Sequence, residues 1–305
     1  MYDKLHVVTP IFNPFRYKSR IKLYEQFRKY VEDSGGILHT VEVAYADRDY
    51  TVTEPGKENQ LQLRGPYELW HKERATNLLI QTLPRDWQYV ACIDADVIFA
   101  RPDWVNETIQ LLQHYPVIQM FSEAVDLGPN YEILAKHKGI FASYLRGEMT
   151  KVNGSYSKFH PGFAWAYRRS TIDNMGGLYD EAILGGGDRF MALSFLGMPR
   201  HSHPSEVSMG YKESMGKWAI RADQYIRKDV GYMAGALLHY WHGPKVNRGY
   251  RTRWKILVDN AYDPEFDLKN DWQGLMQLTS RTPELKYQIR QYFSERNEDS
   301  TSLTS

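Results

Sequence analysis

Two carboxylates stand two residues apart in Ile93-Asp94-Ala95-Asp96-Val97, directly after the apolar run Tyr89–Cys92. In a continuing strand Asp94 and Asp96 share one face, and burying both without a partner is costly. A hard divalent cation removes that cost, because carboxylate oxygens suit Mg²⁺ or Mn²⁺. In open parallel sheets ligands bind beyond the carboxyl ends of the strands, which is where this pair falls. Without that context, Asp-x-Asp also fits a solvated turn. A second candidate is His239-Tyr240-Trp241-His242-Gly243-Pro244-Lys245. An imidazole can complete a cation's shell, Gly243 lets backbone approach a phosphate, and Lys245 can neutralise it. Of the two histidines, His242 is the expected ligand because it adjoins the glycine and the turn. The other reading is a core histidine beside a basic surface helix.

A third candidate is Gly185-Gly186-Gly187-Asp188-Arg189-Phe190. Glycines permit close backbone approach, and an open, positioned carboxylate at Asp188 can take a proton from an acceptor hydroxyl. An N-cap aspartate after a flexible turn has the same spelling. The fourth is Trp70–Asn77, where Arg74 and Asn77 share a helix face and Arg74 can reach a phosphate. An exposed amphipathic helix is the alternative there.

These residues need a scaffold, and the chain alternates strand and helix patterns. Strands are expected over Leu5–Pro10, Ile37–Tyr45, Tyr89–Phe99, Val117–Phe121, His160–Arg168 and Tyr232–Trp241. Helices are expected over Arg16–Glu32, Tyr67–Leu83, Pro102–His114, Ser170–Met175, Asp188–Leu196 and Arg251–Asn260. Strands spaced by helices imply βαβ units and a parallel sheet. Residues 122–159 have weak periodicity and read as a helix-and-loop excursion. The expected organisation is one α/β domain over 1–260, a helical extension over 261–296 and a disordered polar tail over 297–305.

Composition removes several classes. The chain has 305 residues, 42% hydrophobic and 25% charged, with net charge +1. Its mean hydropathy is −0.56. Disorder, collagen and coiled coil are excluded as global descriptions, and there is no overall electrostatic pull towards nucleic acid or membrane. A local excess exists: Lys217–Lys255 holds nine basic residues against Asp223 and Asp229. That stretch could track a phosphate backbone, or face a donor diphosphate or solvent. Aromatic residues are 14% of the chain, which suits sugars and nucleobases as well as cores. The single cysteine, Cys92, excludes an internal disulfide. No apolar stretch is long enough for a membrane span, and Met1–Lys4 leads straight into a strand, so a cytoplasmic location is expected.

A strand ending in Pro10, a helix with Arg74-x-x-Asn77 and a strand running into Asp94-x-Asp96 resemble the layout of GT-A glycosyltransferases. His160-Pro161-Gly162-Phe163-Ala164-Trp165, then Gly176-Gly177-Leu178-Tyr179-Asp180, then Gly185–Asp188, are similar to the glycine-rich run of inverting members. The resemblance covers roughly residues 5–255. It implies a GT-A type mixed, mostly parallel, Rossmann-like sheet and transfer of a sugar from a nucleotide sugar, with uridine the usual base. It implies that Asp96 binds Mn²⁺ or Mg²⁺ directly, that Asp94 contacts the metal through water or the ribose, and that His242 is the third protein ligand. Asp188 would be the base. Phe163 and Trp165 would line the sugar pocket, and Pro10, Phe12 and Asp47 would lie near the nucleobase. Arg74, Gly243 and Lys245 would serve the diphosphate, and Gly187 would contact the donor. Two departures stand out. Gly187-Asp188 replaces the usual Glu-Asp pair, and His242-Gly243-Pro244-Lys245 departs from the His-x-x-Gly-x-x-Lys spacing of some retaining members.

The compact, anchor-free chain also resembles phage and viral glycosyltransferases, some of which act on hydroxymethylated bases in DNA. A hydroxymethylated DNA acceptor is therefore expected, with a glycan, lipid-linked or protein acceptor as the alternative. A sugar nucleotidyltransferase would be expected to carry a glycine-rich loop after the first strand, where Thr9-Pro10-Ile11-Phe12-Asn13-Pro14 stands instead. A carbohydrate-binding protein would need no convergence of Asp94, Asp96 and His242. A metal-dependent hydrolase of the nucleotide sugar is the nearest mechanistic neighbour, since water can replace the acceptor.

Overall fold

The computed structural model describes residues 3–149, 159–250 and 252–303. The first half runs β1 (Leu5–Phe12), α1 (Lys18–Asp33), β2 (Ile37–Tyr45), β3 (Gln60–Gly65), α2 (Lys72–Ile80), β4 (Tyr89–Ile93), β5 (Val97–Phe99) and α3 (Trp104–His114). Then come β6 (Val117–Gln119), β7 (Glu123–Leu127), β8 (Ile133–Gly139), α4 (Ile140–Leu145), β9 (Phe159–His160), β10 (Ala164–Arg168), α5 (Arg169–Met175) and α6 (Gly187–Phe195). The chain closes with α7 (Met209–Ile226), β11 (Val230–Tyr232), β12 (Ala236–His239), α8 (Thr252–Asp259), α9 (Pro264–Asp267), β13 (Leu268–Asn270), β14 (Met276–Leu278) and α10 (Pro283–Glu295).

The main sheet has seven strands in the order β11-β6-β10-β4-β1-β2-β3. Every neighbouring pair is parallel except those made by β10, which runs against β4 and β6. The expected class, a mixed and mostly parallel sheet between helices with a C-terminal helical extension, is the one the chain forms. The apolar runs explain the centre: Val7 and Val8 of β1 and Val90 and Ala91 of β4 are wholly buried. Helices α2 and α5–α7 cover one face, and α1 and α3 the other, giving two clusters of packed side chains.

His160–Arg168 and Tyr232–Trp241, expected as single strands, each divide between two sheets, as β9 and β10 and as β11 and β12. Three further expectations change. The run Tyr89–Phe99 is two strands, because the two aspartates cannot be accommodated in a buried ladder. β4 ends at Ile93, the chain leaves the main sheet through Asp94-Ala95-Asp96, and β5 joins a second sheet in the order β5-β12-β7-β8-β9. Residues 122–149, read as helix and loop, supply β7 and β8 to that sheet and then α4. Residues 150–158 of that excursion lie outside the described residues, as do Arg251, Thr304 and Ser305. The third change is the tail. Residues 297–300 are tied to the body: Glu298 is only 5% exposed, and the Asp299 carboxylate accepts from the N–H groups of Lys18 and Ser19. Helix α7, strand β3 and the β13–β14 hairpin add to the expected elements.

Among the described residues no helix is long and apolar enough to cross a membrane.

Candidate active site

A cleft of about 1090 Å³ opens beyond the carboxyl ends of β1 and β4. Pro10 and Phe12 from the end of β1 line it, and Phe12 packs edge-on against Trp70 at 5.3 Å between ring centroids. Asp94 and Asp96 enter it from the break after β4. Their backbone is tied down at both ends: Asp94 N–H donates to the Phe163 carbonyl, and the Asp96 carbonyl accepts from Tyr240 N–H, each at 2.9 Å.

The two aspartates part company. Asp94 pairs with Lys72 at the start of α2, with 2.5 Å between Nζ and Oδ1. Asp96 turns the other way, towards His242 (3.1 Å) and Arg20 (2.9 Å). Ligand atoms of Asp96, His239 and His242 all lie within 4.8 Å of one another. Of the expected metal set of Asp94, Asp96 and His242, the chain gathers Asp96 and His242 with His239, while Asp94 stands apart with Lys72. The physical reason is that Lys72 neutralises Asp94 locally, whereas β12 delivers His239 beside His242.

These residues fit a divalent cation. Asp96 Oδ1 is buried without a hydrogen-bond partner. His239 Nδ1 is held at 2.8 Å by Asp126 Oδ1, which leaves Nε2 free to ligate and facing His242 Nε2 at 3.3 Å. A carboxylate behind a ligating imidazole is the usual support of such a histidine. Two imidazoles and one carboxylate favour Mn²⁺ over Mg²⁺, which prefers oxygen. Arg248 Nη2 now donates to His242 Nε2 at 2.9 Å. One lone pair cannot serve both a guanidinium and a cation, so Arg248 and the cation are alternatives at His242.

Electrostatics agree with the geometry. Burial opposes ionisation of Asp96, but His242, His239 and Arg20 outweigh it and hold its carboxyl well below the ordinary range. Burial pushes His239 down to about 4, against the pull of Asp126, so its ring is neutral at pH 7. Burial, then Arg20 and Arg248, also lower His242. Asp94 goes the other way: burial raises it, opposed by Lys72 and assisted by Asp96.

Asp188 lies in the wall of the same cleft, in the first turn of α6. Its Oδ1 accepts from Arg189 N–H at 2.7 Å. Its Oδ2 abuts Gly162, where a Cβ would come within 2.4 Å. The glycine of the His-Pro-Gly-Phe run thus makes room for the Asp188 carboxylate. Phe163 takes a left-handed φ of 76° and stacks on His160 at 3.9 Å, forming part of the floor. Glu73, on α2 beside Lys72, is buried in the cleft wall, and burial raises its carboxyl to about 8.

Other expected residues fall elsewhere. Arg74 does not face the cleft: its guanidinium bonds the Gly274 carbonyl at 2.6 Å and Asp180 at 3.1 Å, because helical periodicity turns it away from Lys72. Asp47 is exposed in the turn after β2 and does not line the cleft. Trp165 is a core residue at 6% exposure, its indole N–H bonded to the Pro161 carbonyl. Gly187 packs on Glu73. Gly243 admits protein and not phosphate: at φ +85°, a Cβ there would lie 2.7 Å from the Asn297 carbonyl oxygen. Lys245 does line the cleft, bonded to Asp126. Of the basic stretch, Lys245, Arg248 and Arg253 line the cleft, while Arg221 caps the Met175 carbonyl and Lys255 pairs with Asp259 on the surface.

Sequence reasoning missed Arg20, Lys72, Glu73, Asp126, His137 and Glu298, and placed Arg248 only within the basic stretch. Glu298 bonds Arg20 and Arg296 and lies 3.5 Å from His242 Nδ1. Asp126 gathers His137 (2.5 Å), His239 and Lys245. Only the His239-x-x-His242 spacing was a readable signal.

No family model matches the chain, and no curated protein matches it. Solved structures do overlap with it. Glucosyl-3-phosphoglycerate synthase from Mycobacterium tuberculosis, in complex with Mn²⁺, uridine diphosphate and phosphoglyceric acid, is 13% identical over 87% of this chain and 81% of that one, with a TM-score of 0.39. A Drosophila beta-1,4-galactosyltransferase 7 variant in complex with manganese, UDP-galactose and xylobiose is 14% identical over 65% of this chain, which spans 62% of that protein's chain, with a TM-score of 0.34. A 4-diphosphocytidyl-2C-methyl-D-erythritol synthase from Anaerococcus prevotii is 9% identical over 95% of this chain and 99% of that one, also with a TM-score of 0.34. Overlaps at this level carry no argument about activity.

Proposed function

We propose that this chain is a metal-dependent glycosyltransferase of the GT-A type. It moves a sugar from a nucleoside-diphosphate sugar, with a UDP-sugar the expected donor, to an acceptor hydroxyl with inversion. The observation that supports this reading best is the meeting of two separate groups in one cleft: the Asp96, His239 and His242 cluster, and the Asp188 carboxylate.

Asp96, His239 and His242 hold the cation, Mn²⁺ before Mg²⁺, and Asp126 orients His239. A cation there supplies Lewis-acid neutralisation of the leaving diphosphate. Pro10 and Phe12 flank the nucleobase. Lys245 and Arg248 add positive charge where the diphosphate departs. Asp188 removes the acceptor proton as the acceptor oxygen bonds to the anomeric carbon and the bond from that carbon to the diphosphate oxygen breaks. The acceptor we favour is a hydroxymethylated base in DNA, on the strength of the basic residues that reach the cleft. A glycan acceptor would meet the same base.

The test is a panel of nucleotide sugars with Mn²⁺ and with chelator, wild type beside Asp96→Asn, reading nucleoside diphosphate release. Release from one donor that needs metal and is lost in the variant is expected. No release from any donor, together with no donor binding by calorimetry, overturns the reading.

A further inference from the structure

The cleft carries a second cationic centre that the metal cluster does not use. Arg253, from α8, projects over the turn that leads into Asp188. A Cβ on Gly185 would lie 2.9 Å from its Nη1, and one on Gly186 3.3 Å from its Nη2. Both glycines have left-handed φ, +79° and +91°, so the turn passes beneath the guanidinium as bare backbone. Tyr250 supports it from another side, with its ring centroid 5.3 Å from Cζ.

Arg253 has no carboxylate within ion-pair distance among the described residues, and its Nε is buried without a hydrogen-bond partner. Arg20, Lys72, Lys245 and Arg296, by contrast, each have a carboxylate partner. Arg189 and Arg200 line the same cleft, and Arg189 Nη2 donates to the His201 carbonyl at 3.1 Å. Burial lowers Arg189, Asp188 opposes that, and Arg253 adds to it, so the two guanidiniums repel each other across the site. A half-buried guanidinium whose Nε–H is buried and unused, beside a second cation, is an arrangement that an anion relieves.

We propose that Arg253, with Arg189 and Arg200, binds a phosphate group carried by the acceptor. The assignment rests on the glycosyltransferase reading: the acceptor must stand against Asp188, and Arg253 lies over the two residues before Gly187-Asp188. The donor diphosphate belongs at the other centre, with Asp96, His239 and His242. The shared chemistry is a phosphate oxygen on a guanidinium fork. It can come from the phosphodiester of a nucleic acid strand or from a small phosphomonoester.

The experiment is calorimetric titration of the full chain, saturated with UDP and Mn²⁺, at low ionic strength. The probes are glycerol phosphate for a monoester and a thymidine decanucleotide for a diester. One of them is expected to bind. Arg253→Gln is expected to weaken that binding about tenfold or more and Arg253→Lys less, with UDP affinity unchanged. Arg200→Ala, on the exposed side, is expected to weaken it as well and guards against misfolding of the first variant. Binding of the decanucleotide that falls steeply with salt assigns a nucleic acid acceptor. The proposal is overturned if neither probe binds, if Arg253→Gln and Arg200→Ala both bind like wild type, or if UDP and probe compete. A protein that binds the probe but no nucleotide overturns the glycosyltransferase reading and the acceptor assignment with it, while leaving the arginine site standing.

Discussion

The Asp126 carboxylate accepts the Nδ1–H of His239 at 2.8 Å across 113 residues of sequence. That bond fixes the tautomer of His239 and turns Nε2 towards Asp96 and His242. Burial works against a charged Asp126, but His137, His239 and Lys245 prevail and keep its carboxyl far below the ordinary range. Asp126 is therefore an anion at neutral pH, where it polarises His239.

Asp126→Asn is expected to weaken Mn²⁺ binding about 10–100-fold without unfolding the protein. Electron paramagnetic resonance of free Mn²⁺ measures this. An affinity equal to wild type would take His239 out of the ligand set.

Asp188→Asn is expected to retain donor affinity and to lose transfer by about 100-fold or more, the usual scale for a lost general base. Calorimetry with the donor and product formation with the acceptor are the two readouts. Unchanged turnover would remove Asp188 from the role.

Lys72 and Arg74 are two residues apart and should behave oppositely. Lys72 pairs with Asp94 in the cleft, and Arg74 pairs with Asp180 outside it. Lys72→Met is expected to weaken donor binding, because Asp94 is left without its counter-charge. Arg74→Met is expected to leave donor binding as it is. The reverse pattern would contradict the placement of the two side chains.

The C-terminal segment is expected to be part of the site's support. Glu298→Gln leaves the buried Arg296 without its carboxylate and takes one of two from Arg20, which keeps Asp96, at about 3–5 kcal/mol for a broken buried pair. Gly243→Ala is expected to destabilise in the same direction, since its Cβ collides with Asn297 and its φ is left-handed. Urea denaturation reads both. Wild-type stability in both variants would show that the segment is not docked in solution.

Stability is expected to fall as pH drops below about 6.5, the ordinary histidine value. His39 is pushed down to about 4, first by burial and then by His6, whose Nδ1 lies 2.9 Å from His39 Nε2. His71 is pushed down to about 3 by burial, with Asp271 opposing. Both are neutral when folded, while the unfolded chain takes up protons from about pH 6.5 downwards. Their contribution is complete above that pH and is lost as pH falls through to the folded values, on the order of 3 kcal/mol for His39. Urea midpoints that stay level between about pH 7.5 and pH 5 would exclude this.

Local pattern determined the first strands and helices of the main sheet and the candidate chemistry of this protein. Apolar runs of strand length between amphipathic helices dictate a parallel sheet, and ligands then gather where Asp94 and Asp96 stand. The Gly-Gly-Gly-Asp run could be read for the same reason: glycine and a carboxylate before a helix have few uses. Tertiary structure alone decided which carboxylate meets which cation. Asp94 and Asp96 are equivalent in sequence, yet the chain leaves the main sheet between β4 and β5 and sends them to opposite sides, one to Lys72 and one to His242. Asp126 and Glu298 join the site because β7 and the C-terminal segment converge on β12 there, and no sequence spacing records that convergence. Gly243 shows the limit in one residue: its freedom was legible, but whether phosphate or the backbone of Asn297 fills the space depends on which part of the chain packs there.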